Sequence, residues 1–312
     1  MRLVTYSVFG QEKVGIHSDE GLIDLKFGCN RYFDSVSSAI FSDMRTFLAS
    51  GATGLRLAKE IVQTVLERES KVERSASDLL DSCILRSGYK LRPPVTRPDK
   101  ILCPAVNYVE HGKESSVSPP SEPYFFGKFV NALIGQDDTI MIPSITKMPD
   151  YEVELAAIIG KKGKHIKKNQ VDEFIAGYTV LNDVSFRDLQ GWPKGHPTYG
   201  PHWLMGKDAD TACPVGPWIV TTDELPSPYP SRIKLAINGS TRQDSNTSNQ
   251  IFKIPELVAY LSQIMTLEPG DVISTGTPSG VGRTTGTYLK EGDVIEAEIE
   301  KIGILRNFVR NE

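Results

Sequence analysis

The stretch DYEVELAAIIG, residues 150–160, combines two acidic side chains with a long apolar run. In a β-strand, residues two apart share a face, so Glu152 and Glu154 point one way and the apolar residues beside them point the other. The length of the apolar run predicts an interior strand. Two like charges on a buried face repel and lose hydration, so either their pKa values rise or a cation lies between them. Alternatively, this face is exposed and both glutamates are solvated.

A third carboxylate, Asp183, ends the apolar run FIAGYTVLNDV (174–184). A strand that ends in Asn-Asp before a polar turn is a common way to present a side chain at the rim of a pocket. Together with Glu152 and Glu154, Asp183 would form a site of hard oxygen ligands without Cys or His. Such a site suits Mg²⁺ or Mn²⁺ and disfavours zinc.

A second group of polar residues lies in NYVEHGKE, residues 107–114. If this segment is helical, His111 and Glu114 share one face at i, i+3 and can form a hydrogen bond. Such a pair can hold and deprotonate a water molecule. The Ser- and Pro-rich stretch SSVSPPSEP (115–123) predicts that the pair lies on a mobile flap. The alternative is a surface histidine beside an unrelated glutamate.

Short strand patterns separated by Gly, Pro and Asp dominate the chain after residue 100, where only IPELVAYLSQIM (254–265) has a clear helical pattern. GLRLAKEIVQTVLERES (54–70) also has helical spacing, and the prolines of LRPPVTRPDK (91–100) indicate a domain boundary. We therefore predict an α+β, β-rich fold rather than a doubly wound α/β sheet. It consists of a small N-terminal α+β domain over residues 1–95 and a β-roll or sandwich domain over 96–312.

The composition excludes several classes of protein. The chain has 312 residues, 39% hydrophobic and 24% charged, which is typical of a globular protein and excludes wholesale disorder. With a net charge of −4 and no basic stripe, nucleic acid is not an expected partner. No apolar run approaches the roughly 18–20 residues of a membrane span, and the N-terminus turns polar too early for a signal peptide. The four scattered cysteines favour reduced thiols in a cytoplasmic protein.

Several well-known catalytic motifs are missing from the sequence. There is no GxSxG elbow, HExxH helix or GxGxxG after a strand, which disfavours serine hydrolases, zincins and Rossmann dehydrogenases. TGTPSGVGRTTG (275–286) lacks the Gly-Lys-Ser/Thr ending of a phosphate loop. We therefore expect a tight glycine turn there.

Seven segments, in order, resemble the fumarylacetoacetate hydrolase family, in its smaller acylpyruvase- and oxaloacetate decarboxylase-like branch. They are NYVEHGKE (107–114), EPYFFGK (122–128), DYEVELAAIIG (150–160), GYTVLNDVSFRDLQ (177–190), GKDADTACPVGPWIV (206–220), INGSTRQDSNTSNQIF (237–252) and LEPGDVISTGTPSGVG (267–282). The resemblance implies a mixed β-roll that is usually dimeric, so we expect a homodimer. It also implies a bound Mg²⁺ or Mn²⁺ ion.

The resemblance also implies roles for individual residues. The metal ligands it implies are Glu152, Glu154 and Asp183. The catalytic residues it implies are His111, Glu114 and Lys207. The substrate contacts it implies are Lys128, Arg187, Gln190 and Thr277. From the local pattern alone, either lysine could instead be an ordinary edge lysine.

The activity that the resemblance implies is hydrolysis of a C–C bond in small 2,4-diketo acids, with charge stabilisation by the metal. Decarboxylation of oxaloacetate, tautomerisation or isomerisation, and dehydration are alternatives on the same site, because a fold and a metal site do not fix a reaction. A non-catalytic protein that binds a metal or ligand is an alternative of a different class. An acid–base pair beside a metal site argues against it.

Overall fold

The acidic strand of the sequence forms β11 (Val153–Ile159) inside the largest sheet of the structure, which is a computed structural model. Its antiparallel neighbours are β12 (Ile175–Asn182) and β17 (Val272–Ser274). Every residue of β11 is buried, as expected for a strand that is covered on both faces. The predicted interior strand is therefore confirmed, and Glu152 lies directly before it.

The structure describes residues 1–69, 82–114, 118–191 and 200–312. Residue 70 of the predicted helix and residues 115–117 of the predicted flap therefore lie outside the described residues. The other strands are β1 (Arg2–Val8), β2 (Gln11–Ser18), β3 (Gly21–Asp24), β4 (Ile84–Leu85), β5 (Lys90–Leu91), β6 (Ile101–Pro104), β7 (Phe125–Lys128), β8 (Leu133–Ile134), β9 (Thr139–Ile142), β10 (Pro149–Asp150), β13 (Ser185–Phe186), β14 (Cys213–Thr221), β15 (Arg232–Ile237), β16 (Ser240–Asn246), β18 (Val294–Ile299) and β19 (Gly303–Asn311). The α-helices are α1 (Leu25–Tyr32), α2 (Met44–Ala49), α3 (Gly51–Glu69), α4 (Val109–Glu114), α5 (Arg187–Gln190), α6 (Trp203–Lys207), α7 (Ile254–Leu261) and α8 (Gly282–Thr285). None of these helices combines the length and the apolar character of a membrane span.

Two sheets that pack against each other contain most of the strands. The larger sheet has the order β4-β3-β2-β1-β14-β12-β11-β17-β6-β7, with β5 paired to β1 and β8 paired to β14. The smaller sheet has the order β16-β15-β18-β19-β9 and lies against β11, β12 and β14. Parallel pairs occur at β17–β6, β14–β8 and β19–β9 among mostly antiparallel ones. The predicted β-rich, mixed-sheet fold with few helices is confirmed.

The N-terminal segment extends the larger sheet. Strand β1 pairs with β14, with Arg2 opposite Val220. Helix α3, where the sequence predicts a helix, contributes three buried apolar side chains to the main hydrophobic core, namely Ala58, Ile61 and Val65. The sheet therefore runs without interruption from β4 to β7, and the domain division between residues 95 and 96 stays a prediction.

Strands β9, β16 and β19 of the smaller sheet were not predicted from the sequence. In β19, the buried Asn307 donates hydrogen bonds to the carbonyl oxygens of Gly135 (2.8 Å) and Asp138 (3.1 Å). This buried polar residue, next to the partly exposed Phe308, obscures the alternation of apolar and polar residues that indicates a strand. Helix α7 also ends at Leu261, earlier than the apolar pattern predicts.

At Gly177, the backbone of β12 lies very close to the backbone of β14. A Cβ atom at this position would overlap the Val220 carbonyl oxygen and lie 2.6 Å from a methyl group of Ile219. We expect Gly177→Ala to lower the free energy of unfolding by about 1–3 kcal/mol, as overpacking does, in urea denaturation. The control is Gly127→Ala in β7, where the nearest atom would be 3.7 Å away. Similar losses in both variants would contradict this packing argument.

Candidate active site

Three carboxylates lie together where β11 begins and β12 ends. Val153 pairs with Asn182 across these strands, so Glu152, Glu154 and Asp183 come from adjacent chain segments. The Asp183 amide also donates to the Glu152 carbonyl oxygen at 2.9 Å. One carboxylate oxygen from each residue lies within 4.8 Å of one from each of the other two, and each residue is at most 5% exposed. The structure therefore brings the three predicted ligands together.

Three cationic side chains neutralise part of this buried negative charge. Lys207 bridges Glu152 (2.9 Å) and Asp183 (2.6 Å). Lys128 binds the other oxygen of Asp183 at 2.7 Å, and Arg187 pairs with Glu152. Burial by itself lowers the pKa of Lys207, but Asp183 and Glu152 outweigh this effect and raise it. Lys207 therefore stays charged although it is buried.

Glu154 has no ion pair among the described residues. One of its oxygens accepts hydrogen bonds from the Ser274 hydroxyl and from the Gly276 amide, the latter at 3.0 Å. Burial, followed by the charges of Asp183 and Glu152, raises the pKa of Glu154 well above its ordinary value. A divalent cation would offset this repulsion, and the all-oxygen donor set suits a hard ion. The residues present therefore fit such an ion, and the described ranges contain no other group of three potential ligands.

Helix α4 carries the predicted histidine–glutamate pair. His111 Nδ1 lies 2.9 Å from Glu114 Oε1, as the i, i+3 spacing predicts. Glu114 Oε2 also accepts hydrogen bonds from the Gly280 amide (3.0 Å) and the Thr284 hydroxyl (3.0 Å). Burial alone raises the pKa of Glu114, but these bonds, led by the one with His111, outweigh it and lower the pKa. Because an ionised carboxylate only accepts, we assign the proton to Nδ1, which leaves Nε2 as an acceptor.

The imidazole of His111 and the carboxylates of Glu152 and Glu154 line a common cavity of about 540 Å³. This volume is typical of a site for a small molecule. Part of the wall is aromatic, because Phe126 and Trp203 line the cavity. Their rings stack with centroids 4.6 Å apart. The cavity thus places an acid–base residue, carboxylates and a flat apolar surface around the same space.

The predicted substrate contacts divide into two groups. Those that line the cavity are Arg187, Gln190 and Thr277. Lys128 is instead fully buried against Asp183 and also donates to two backbone carbonyl groups. Its contact with substrate stays a prediction, whereas its surroundings fit a lysine that holds Asp183 in place.

Asp150 received no role from the sequence, although it begins the stretch that predicts the central strand. It is fully buried, and its Oδ2 accepts hydrogen bonds from Arg187 Nε (2.7 Å) and the Arg283 amide (2.9 Å). Its Oδ1 accepts from the amides of Tyr151 and Gly282. Asp150 therefore fixes both Arg187 and the start of α8. Its position two residues before Glu152 was the feature of the sequence that could have identified it as a site residue.

Gln243 of β16 is a second residue that the sequence analysis missed. Its Oε1 accepts from the Val153 amide (3.0 Å), and its Nε2 donates to the Thr277 hydroxyl (2.8 Å) and the Pro278 carbonyl oxygen (2.9 Å). It thus joins the smaller sheet to the beginning of β11. Its neighbours in the sequence are polar, so no local pattern indicates that it is buried.

Replacing Lys128 with Met should leave Asp183 with one cationic partner fewer in a buried setting. We expect the free energy of unfolding in EDTA to fall by about 3 kcal/mol, because removal of one member of a buried ion pair leaves charge uncompensated. Urea denaturation measures this loss. The control Lys168→Met breaks an exposed pair with Glu256 and should cost less than about 0.5 kcal/mol. If both variants lose the same stability, Lys128 does not have this role.

Comparison with known proteins identifies relatives that cover most of the chain. It is 39% identical to the mitochondrial oxaloacetate tautomerase Fahd2a of Rattus norvegicus, over 99% of this chain and 91% of that protein. It is 45% identical to the mitochondrial oxaloacetate tautomerase FAHD2A of Homo sapiens, over 72% of this chain and 70% of that protein.

Solved structures and a family model agree with these relatives. A fumarylacetoacetate hydrolase from Exiguobacterium antarcticum matches with a TM-score of 0.77 at 29% identity, over 100% of both chains. A maleylpyruvate hydrolase from Sphingobium matches with a TM-score of 0.71 at 28% identity, also over 100% of both chains. The family model described as fumarylacetoacetate (FAA) hydrolase C-terminal matches residues 100–310, which include every predicted site residue. The chain therefore belongs to the fumarylacetoacetate hydrolase family.

Proposed function

We propose that this chain is a divalent-metal-dependent tautomerase of oxaloacetate, which interconverts the enol and keto forms. The observation that carries the proposal is the shared cavity, in which the buried carboxylates of Glu152 and Glu154 face the same space as the His111 imidazole. A relative that matches nearly the whole chain is named an oxaloacetate tautomerase. Keto–enol interconversion requires a proton carrier and stabilisation of an oxyanion, and these residues can supply both.

The carboxylates of Glu152, Glu154 and Asp183 are the proposed ligands of Mg²⁺ or Mn²⁺. When bound, the ion supplies positive charge that stabilises an oxyanion on the substrate. Lys207 contacts two of these carboxylates and also lines the cavity. Its ammonium group can therefore donate a charge-assisted hydrogen bond to a substrate oxygen.

His111 is the residue that we assign to proton transfer. In the enol-to-keto direction, the enol hydroxyl of the substrate loses a proton and its C3 carbon gains one, while no bond between heavy atoms breaks. The neutral imidazole accepts and returns this proton at Nε2. Glu114 keeps Nδ1 protonated and stabilises the imidazolium ion that forms. The stacked rings of Phe126 and Trp203 keep water away from one side of the cavity.

A second candidate function is C–C bond hydrolysis in 2,4-diketo acids. The His111–Glu114 pair favours it, because such a pair can also activate a water molecule. The similar structure from Sphingobium is named a maleylpyruvate hydrolase. Hydrolysis of acetylpyruvate would release pyruvate and acetate, and decarboxylation of oxaloacetate would release pyruvate and CO₂. Product identification therefore separates both reactions from tautomerisation.

We also propose that the protein is a homodimer that acts on a small molecule, as the family resemblance implies. Apolar side chains near the cavity are exposed, including Tyr124 (54%), Phe129 (57%) and Leu204 (53%). A second copy of the chain would cover such side chains. The cytoplasmic location expected from the sequence stays a prediction, because the relatives named above are described as mitochondrial.

Removing one proposed ligand should weaken metal binding without unfolding the protein. Glu154→Gln keeps the size of the side chain but removes its charge, so we expect the affinity for Mn²⁺ to fall by about tenfold or more. The electron paramagnetic resonance signal of free Mn²⁺ measures binding. The control Glu173→Gln changes an exposed carboxylate and should bind as the unmodified protein does. Unchanged affinity in Glu154→Gln would contradict the ligand assignment.

Turnover tests the proposed reaction directly. With Mg²⁺ or Mn²⁺, the protein should speed the loss of enol-oxaloacetate absorbance, and nuclear magnetic resonance should find keto-oxaloacetate as the product. We expect His111→Asn to lower kcat by about 100- to 10,000-fold through loss of the proton carrier, with Mn²⁺ affinity retained. The control is His165→Asn at an exposed position. Pyruvate as the main product, or full activity of His111→Asn, would overturn the tautomerase mechanism.

A further inference from the structure

Three cationic side chains line the cavity, and they differ in whether the protein already neutralises them. They are Arg187, Lys207 and Arg283. Lys207 is bound to Glu152 and Asp183, as described above. Every nitrogen of the Arg187 guanidinium is also engaged. Nε binds Asp150, Nη1 binds the Gln190 side chain at 3.1 Å, and Nη2 binds Glu152.

Arg283 differs from the other two cations. Among the described residues, no carboxylate lies within 4.0 Å of its guanidinium group, and the ion pairs at this cavity all use other cations. The side chain is exposed at the cavity wall. A guanidinium group presents a planar fork of donors that matches a carboxylate. Arg283 is therefore available to bind an anion that enters from solvent.

The backbone at Arg283 is held in place, although its side chain has no ion pair with any residue that the structure describes. Its amide and that of Gly282 both donate to Asp150, the carboxylate that also anchors Arg187. A Cβ atom at Gly282 would lie 2.7 Å from an Asp150 oxygen, so glycine permits this close approach. Arg283 therefore starts from a fixed point relative to the carboxylate site.

We propose that Arg283 is a specificity-determining residue that binds the distal carboxylate of a dicarboxylic 2-oxo acid. This inference rests on the proposed function, because it takes the 2-oxo acid group to lie at the carboxylate site. The far end of the substrate then lies in a cavity whose other cations are already neutralised. A negatively charged tail gains an ion pair with Arg283, whereas a neutral tail of the same length does not.

A matched pair of substrates isolates this charge. Oxaloacetate and its 4-methyl ester share the same four-carbon chain, and the ester replaces the distal negative charge with a neutral methyl ester. The unmodified protein should prefer the diacid. In Arg283→Gln, the ratio of kcat/KM for the diacid to that for the ester should fall by about 5- to 10-fold, mainly through KM, because a charge-assisted pair is lost at a partly solvated site. Arg283→Lys should restore part of the preference.

Arg310→Gln is the control, since it removes the same charge from an exposed position of β19 that does not line the cavity. It should keep the preference for the diacid. Equal loss on both substrates in Arg283→Gln, or no loss on either, would overturn the proposal.

Calorimetric binding in Mn²⁺ separates this inference from the proposed function. If neither compound is turned over but the unmodified protein binds the diacid more tightly, and Arg283→Gln removes that difference, the tautomerase assignment fails and the role of Arg283 stands. If Arg283→Gln binds with the same discrimination as the unmodified protein, the role of Arg283 fails whatever the turnover.

Discussion

Buried negative charge at the beginning of β11 is the constraint on which the rest of the site depends. Four carboxylates meet there, those of Asp150, Glu152, Glu154 and Asp183, and each is at most 5% exposed. The cations that pair with three of them are Lys128, Arg187 and Lys207. Apolar residues would be easier to bury than such a network. The cluster is therefore better explained as a binding site, in which a divalent ion would supply the positive partner that Glu154 lacks among the described residues.

The glycine-rich turn after β17 connects the separate parts of this site. The Gly276 amide binds Glu154, and the Gly280 amide binds Glu114 of the histidine–glutamate pair. Gly280 has φ +101°, and a Cβ atom there would overlap a backbone carbonyl group, so only glycine fits. The amides of this turn donate hydrogen bonds to the protein's own carboxylates, which fits the absence of a phosphate-loop lysine. One short segment thus links the proposed metal site to the proposed proton carrier.

Local patterns in the sequence predicted the parts of the site that depend on neighbouring residues. The apolar run after Glu152 indicated a buried strand, and the i, i+3 spacing indicated the His111–Glu114 contact, both as observed. Contacts between residues that are far apart in the sequence could not be predicted from local patterns. Gln243 lies 90 residues from the Val153 amide that it binds, and Lys128 looks like an ordinary edge lysine until β7 is placed beside Asp183. The family resemblance supplied Lys128 but not Gln243, and the burial and partners of both residues came from the fold.

The central claim is that Glu152, Glu154 and Asp183 together bind one divalent ion at the wall of the cavity. A crystal structure of the protein grown with Mn²⁺ and oxalate, with data collected at the manganese absorption edge, tests it most directly. We expect one anomalous peak in contact with oxygens of all three carboxylates, with oxalate on the side that faces His111. A peak elsewhere, or a well-ordered oxalate at this site without manganese, would contradict the account.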